Sequence, residues 1–172
     1  MPFYSEQQII SGCLKNDRAA QKALYDLFKS KMYTLAYRIT NNFEDAGDVL
    51  QEGFLDVFEN LGAFKHESGL GTWIHVIMAR KALKKIKGRI IFDDLGEIYG
   101  NEVLDWGDEI DLQLLENAIG ELPHGYRAVF TLYEIEGFSH SEIAEMLDIS
   151  VNTSKSQLHK AKRLLINKIK GA

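Results

Sequence analysis

Cysteine and proline are nearly absent from this chain. One cysteine, Cys13, and two prolines stand among 172 residues. A lone thiol closes no internal disulfide, so a reducing cytoplasmic setting is expected. Fourteen glycines and two prolines are too few for a fibrous or low-complexity chain. No apolar run approaches the roughly 20 residues of a membrane span. The N-terminus has no basic segment followed by an apolar run, so no signal peptide is expected. Apolar–polar alternation long enough for a sheet is also missing, and "GRIIF" at 88–92 is the only strand-like piece. Finally, acid is missing at one place. From Val151 onward there are six bases (Lys155, Lys160, Lys162, Arg163, Lys168, Lys170) and no Asp or Glu, although the net charge of the chain is −5.

What is present is helical patterning and an uneven charge. Apolar residues make up 45% of the chain, enough for real cores. Residues 1–87 carry net charge +2, residues 88–115 carry −7, and residues 116–172 carry 0. The acidity is therefore confined to the middle. This predicts an all-α protein of two small helical domains, 1–87 and 112–172, joined by a flexible acidic linker, 88–111. Whole-chain charge is a poor guide to nucleic-acid binding in such a chain, because the basic surface is local.

Ser5 is placed to cap a short helix through Cys13, and Asp17 to cap a longer one broken at Asn41 and Asn42. In "FEDAGDVLQEGFLDVFENL" the residues Leu50, Phe54, Val57 and Leu61 form one stripe at +4, +3, +4 spacing, expected to face inward. The acids of that segment read as a solvated face rather than a metal site, since no His or Cys accompanies them. Thr72 is the expected cap of the next helix, to Lys87. On its wheel Arg80, Lys81, Lys84, Lys85 and Lys87 share an arc of roughly 160°, with Trp73 at its start. An aromatic beside a row of cations suits a single nucleic-acid strand, offering a π-face to a base and charges to the backbone. A core position for Trp73 is compatible with that role.

Near the C-terminus, "SEIAEMLDIS" predicts a short helix burying Ile143, Ala144 and Leu147, then a tight turn at Asp148. Ser150 then caps a second helix with Val151, Ser154, Leu158, Ala161 and Leu165 inward. Asn152, Thr153, Lys155, Ser156, His159, Lys160 and Arg163 are expected outward. This is a helix-turn-helix pattern, with hydrogen-bonding side chains in the first turns and cations later. The first set suits base edges and the second suits phosphates. An amphipathic helix with a solvated basic face is the plainer reading of the charge alone. No phosphate loop, zincin pair or Cys/His dyad is present, so no catalytic residue, metal or cofactor is assigned and an enzyme is not expected.

"ELPHGYRAVFTLYEIEGFSHSEIAEMLDISVNTSKSQLHKAKRLL" resembles region four of bacterial RNA polymerase sigma factors of the extracytoplasmic-function (ECF) group, in the sigma-70 family. "LYDLFKSKMYTLAYRITNNFEDAGDVLQEGFLDVFENLGAF", with the Trp73 helix after it, resembles region two of the same family. The resemblance implies a protein that binds core RNA polymerase, directs it to promoters, and recognises and melts promoter DNA. It implies core-polymerase contacts at Asp45, Asp48, Gln51, Glu52, Phe54 and Asp56, made with the clamp coiled coil of the largest subunit. Region four would meet the flap of the second-largest subunit. It implies minus-ten DNA contacts at Phe64, Lys65, His66, Trp73, Arg80, Lys81, Lys84, Lys85 and Lys87. Minus-thirty-five contacts would fall on Asn152, Thr153, Lys155, Ser156, His159, Lys160 and Arg163. An anti-sigma protein is a further implied partner. Arg80 stands where the family usually has Asn, Lys84 where it often has Asp, and Leu70 near a usual Phe. All three fall in the segment that melts and reads the minus-ten element. A competing class is a stand-alone helix-turn-helix regulator with an N-terminal sensor or dimerisation domain, and a third is a decoy that binds polymerase without opening DNA.

Overall fold

In the computed structural model, which describes residues 5–92, 106 and 110–171, every regular element among the described residues is helical. The chain divides into two compact units, Met1–Lys85 and Ile86–Ala172.

In the first unit, α1 (Glu6–Leu14) opens on a capping box between Ser5 and Gln8. Asp17 caps α2 (Arg18–Thr40) by accepting from the Ala19 N–H. Asn41 and Asn42 then divide the work of reversing the chain. Asn41 takes φ 51 and ends α2, while the Asn42 side chain accepts from the Asp45 N–H and starts α3 (Phe43–Asn60). Asparagine tolerates both roles because its short polar side chain can bond locally. A 3₁₀ turn, Leu61–Ala63, leads toward α4 (Leu70–Ile86). α4 begins two residues before the expected cap, with the Trp73 N–H bonded to the Gly69 carbonyl. Leu70 is buried and Thr72 exposed, so burial of Leu70 draws the first turn inward and overrides the hydroxyl cap.

α1 and α3 both pack on α2, around Leu24, Met32, Leu35, Ile39, Val49 and Val57. Of the expected stripe, Phe54, Val57 and Leu61 are buried and Leu50 is half-buried, and Ala46, Val49 and Gly53 widen the buried face of α3. Glycine explains part of the widening: a Cβ on Gly53 would collide with the thioether of Met78, so α4 approaches α3 at a position without a side chain.

In the second unit, Asp111 caps α5 (Leu112–Gly120). After Pro123 comes α6 (His124–Phe130), which widens into a π turn over Thr131–Ile135. Gly137, at φ 79, releases the chain into α7 (His140–Leu147), opened by a capping box between Ser139 and Glu142. Asp148 takes the left-handed φ of 56, as expected of the turn, and Ser150 caps α8 (Val151–Lys170). α8 is the axis of the unit, with α5, α6 and α7 all against it. The core holds Leu132, Ile143, Leu158, Ala161 and Leu165.

"GRIIF" is not a strand. Lys87–Arg89 is a 3₁₀ turn, and a Cβ on Gly125 would lie 3.3 Å from the Phe92 ring and 3.4 Å from Ile90. The start of the expected linker therefore lies against α6. Most of that linker falls outside the described residues. No helix among the described residues is long and apolar enough to cross a membrane.

Candidate nucleic-acid interface

α7, the Asp148 turn and α8 form the helix-turn-helix. The turn is closed by the Ile149 N–H on the Ala144 carbonyl, at 3.0 Å. The Ser150 hydroxyl accepts from the Thr153 N–H at 2.9 Å and meets the Thr153 hydroxyl at 2.8 Å. Ser154, Leu158, Ala161 and Leu165 are buried as expected, but Val151 is exposed. Asn152, Lys155 and Arg163 are exposed, and Thr153 and Lys160 are half-buried. Two residues depart from the expected outer face, because Ser156 and His159 are buried. The Ser156 hydroxyl turns back to donate to the Thr153 carbonyl at 3.0 Å, so it is spent on its own helix. Gln157, not assigned a role from sequence, is also fully buried.

The acid-free helix finds its acids elsewhere in the unit. Lys162 pairs with Glu134 of the π turn, and Lys168 pairs with Glu121 after α5. Four cations of α8, Lys155, Lys160, Arg163 and Lys170, stand outside those two pairs, and the first three are the ones expected to meet DNA. No periodicity could have revealed these pairings, since Lys168 and Glu121 are 47 residues apart.

In the first unit, Asp48, Gln51 and Glu52 are exposed on α3, while Asp45 and Asp56 are half-buried. Phe54 is buried, not on the surface, with its ring edge-on to Tyr25 at 4.8 Å. It forms the floor of a groove of about 510 Å³ lined also by Tyr25, Tyr33, Leu50, Leu55 and Phe58. Leu55 is 56% exposed there, beside Gln51, an apolar contact that sequence reading missed.

Two cations of the basic arc of α4 are paired with acids of α3. Lys85 Nζ lies 3.0 Å from Asp48, and Lys81 Nζ lies 2.6 Å from Asp56. Two cations assigned to DNA thus neutralise two acids assigned to polymerase, because α3 and α4 run close enough for their faces to meet. The hydrogen bond to Asp48 holds the Lys85 ammonium above its ordinary pKa against burial, with the Asp48, Asp45 and Glu52 charges adding to it. Arg80, Lys84 and Lys87 remain exposed. Phe64 is buried rather than presented, 5.3 Å from the half-buried Trp73 ring and 4.4 Å from His66. Lys65 and His66 are exposed, with His66 at φ 58. Among the described residues no cluster of His, Cys, Asp and Glu is suited to hold a metal.

The family description "Sigma-70 region 2" matches residues 24–89, and "Sigma-70, region 4" matches residues 112–165. The chain is 28% identical to the ECF RNA polymerase sigma factor SigW of Bacillus subtilis, over 88% of this chain and 89% of that one. It is 27% identical to the ECF RNA polymerase sigma-E factor of Haemophilus influenzae, over 96% of this chain and 95% of that one. The chain belongs to the ECF group of the sigma-70 family. The fold of this sigma factor is also that of the sigma factor RpoE solved with the anti-sigma factor NepR from Bartonella quintana. That likeness has a TM-score of 0.59 and 21% identity, over 87% of this chain and 96% of that one. CnrH, solved with the cytosolic domain of CnrY, is similar at TM-score 0.54 and 20% identity, over 91% of this chain and 92% of that one. Two sigma regions in order do not favour the sensor-domain regulator.

Proposed function

We propose that this sigma factor binds core RNA polymerase, carries it to promoters and opens the promoter DNA, acting as a subunit in the cytoplasm rather than as an enzyme. The observation that carries this reading is the outer face of α3. Exposed Gln51 and Glu52 border an apolar groove with a projecting leucine, a mixture that suits a protein partner with a basic face. Acids there speed and orient the encounter, while the groove supplies affinity. The partner on that face is the clamp coiled coil of the largest subunit, and the second unit meets the flap of the second-largest. Residues 1–87 act as region two, 88–111 as linker and 112–172 as region four.

DNA contacts divide by exposure. Arg80, Lys84, Lys87, Lys65, His66 and the Trp73 edge serve the minus-ten strand. Asn152 and Thr153 serve base edges of the minus-thirty-five duplex, and Lys155, Lys160 and Arg163 its phosphates. An anti-sigma protein is a further partner, supported by the similar sigma factor RpoE solved with the anti-sigma factor NepR.

The test is a Gln51→Ala, Glu52→Ala, Leu55→Ala variant. All three side chains are exposed, so stability should change by no more than about 0.5 kcal/mol per site. Asp48 is left intact because it holds Lys85. The variant should melt like the parent and fail to co-elute with core polymerase. Normal co-elution would count against this docking face.

A further inference from the structure

A polar link crosses between α7 and α8. Ser154 is fully buried in α8, and its Oγ lies 2.8 Å from His140 Nδ1. His140 is the first residue of α7. Its ring stacks on Tyr133 of the π turn, with centroids 4.3 Å apart and planes at 18°. One imidazole thus touches three elements. Beside it Glu134 pairs with Lys162, a second tie between the π turn and α8.

α7 and α8 also pack on each other, and their buried apolar side chains include Ile143 and Ala144 on α7 and Leu158 and Ala161 on α8. Apolar contacts are non-directional and tolerate rotation, whereas the bond between half-buried His140 and fully buried Ser154 is directional; a single buried polar residue is a known way to specify helix register. A rotation of α8 by about 20° would carry a side-chain tip at a radius of ~5 Å through about 2 Å. Hydrogen bonds to base edges tolerate only a few tenths of an ångström. We infer that His140 is a positioning residue for promoter reading: held between Tyr133 and Ser154, it sets the rotation of α8 and hence which of Asn152, Thr153 and Lys155 reach base edges. The inference rests on the duplex-binding role of α8 proposed above.

The charged groups around the ring are Lys155 and Lys162 from α8 and Glu134 from the π turn. Burial, then Lys155, then Lys162 push the His140 pKa down, and Glu134 opposes them. The ring is therefore neutral near pH 7; in one tautomer the Ser154 hydroxyl donates to Nδ1, and in the other Nδ1–H donates to the hydroxyl.

The experiment uses the full chain and a duplex that the parent selects from a random pool, compared with an unrelated duplex. His140→Phe keeps a ring on Tyr133 and loses the bond. His140→Asn keeps a polar atom near the place of Nδ1 and loses the ring. Preference for the selected duplex should fall about tenfold in His140→Phe and in Ser154→Ala, the scale of one unsatisfied buried partner. It should fall no further in the double variant, and should largely return in His140→Asn. Affinity for the unrelated duplex and its salt slope should hold constant. NMR titration without DNA supplies the second readout: the His140 midpoint should move in Ser154→Ala, upward where the hydroxyl donates to Nδ1 and downward where it accepts. Full preference in His140→Phe, additive losses in the double variant, or an unmoved titration would each overturn the inference. Should the parent select no duplex, the role of α8 fails, and the titration alone decides whether His140 and Ser154 are linked.

Discussion

At the residue scale, the exposed cations of α8 separate from the paired ones. Lys155 and Arg163 face solvent, whereas Lys162 and Lys168 are tied to Glu134 and Glu121. Replacing Lys155 or Arg163 by Ala should weaken binding to every duplex alike and lower the salt slope by about one each, read from titrations across salt. Replacing Lys168 should leave the slope almost unchanged. Equal effects from both sets would show that the pairing does not persist in solution. Acid should act through histidines of the second unit. His124 Nδ1 lies 2.6 Å from Arg127 Nη2 and so must be an unprotonated acceptor. Burial, with Arg127 and Arg89 nearby, lowers its pKa. A lowered folded value means stability that is present above the unfolded pKa of about 6.5 and is lost as pH falls through the folded value. His140 has the same sign. Melting temperature should therefore fall between pH 7.5 and 5, and fall less in His124→Gln, whose amide oxygen can still accept from Arg127. A parallel decline in both proteins would remove His124 from the account.

At the element scale, close approaches decide which glycines matter. A Cβ on Gly12 would sit 2.5 Å from the Ala20 Cβ, whereas one on Gly47 would meet nothing within 4 Å. Gly12→Ala must push α1 from α2 and should destabilise the first unit. Gly47→Ala, exchanging the poorest ordinary helix former for the best, should stabilise it by up to about 1 kcal/mol. Urea midpoints of the two variants should thus move in opposite directions, and a shared direction would contradict the packing described. Helix starts were legible in the sequence because caps are local: Ser5, Asp17 and Ser150 announce α1, α2 and α8, and Asp148 announces the left-handed turn. The start of α4 was not, because burial of Leu70 outweighs a cap at Thr72. The α3 stripe was legible at Phe54, Val57 and Leu61, but its width was not, since Gly53 looks like a break in an apolar pattern until Met78 is placed over it. The α3–α4 ion pairs were not legible at all. Wheel analysis treats each helix alone, and Lys85 and Asp48 are 37 residues apart. The same limit left Ser156 and His159 on an outer face from which the structure withdraws them.

At the scale of the whole molecule, net charge hides the function. The chain is acidic overall, and its basic surfaces are one face of α4 and one of α8, each partly neutralised by acids of its own unit. Such a protein should bind stray DNA weakly and gain specificity from two modest contacts held together on one polymerase. The measurement that tests this most directly is transcription in vitro. Purified core polymerase, with and without the chain, is given a pool of genomic fragments, and the 5′ ends of the transcripts are sequenced. The account predicts transcripts at defined starts only when the chain is present, sharing one sequence element near minus thirty-five and one near minus ten, and lost with the Gln51, Glu52, Leu55 variant. Unchanged, dispersed starts with the chain bound to core polymerase would contradict it.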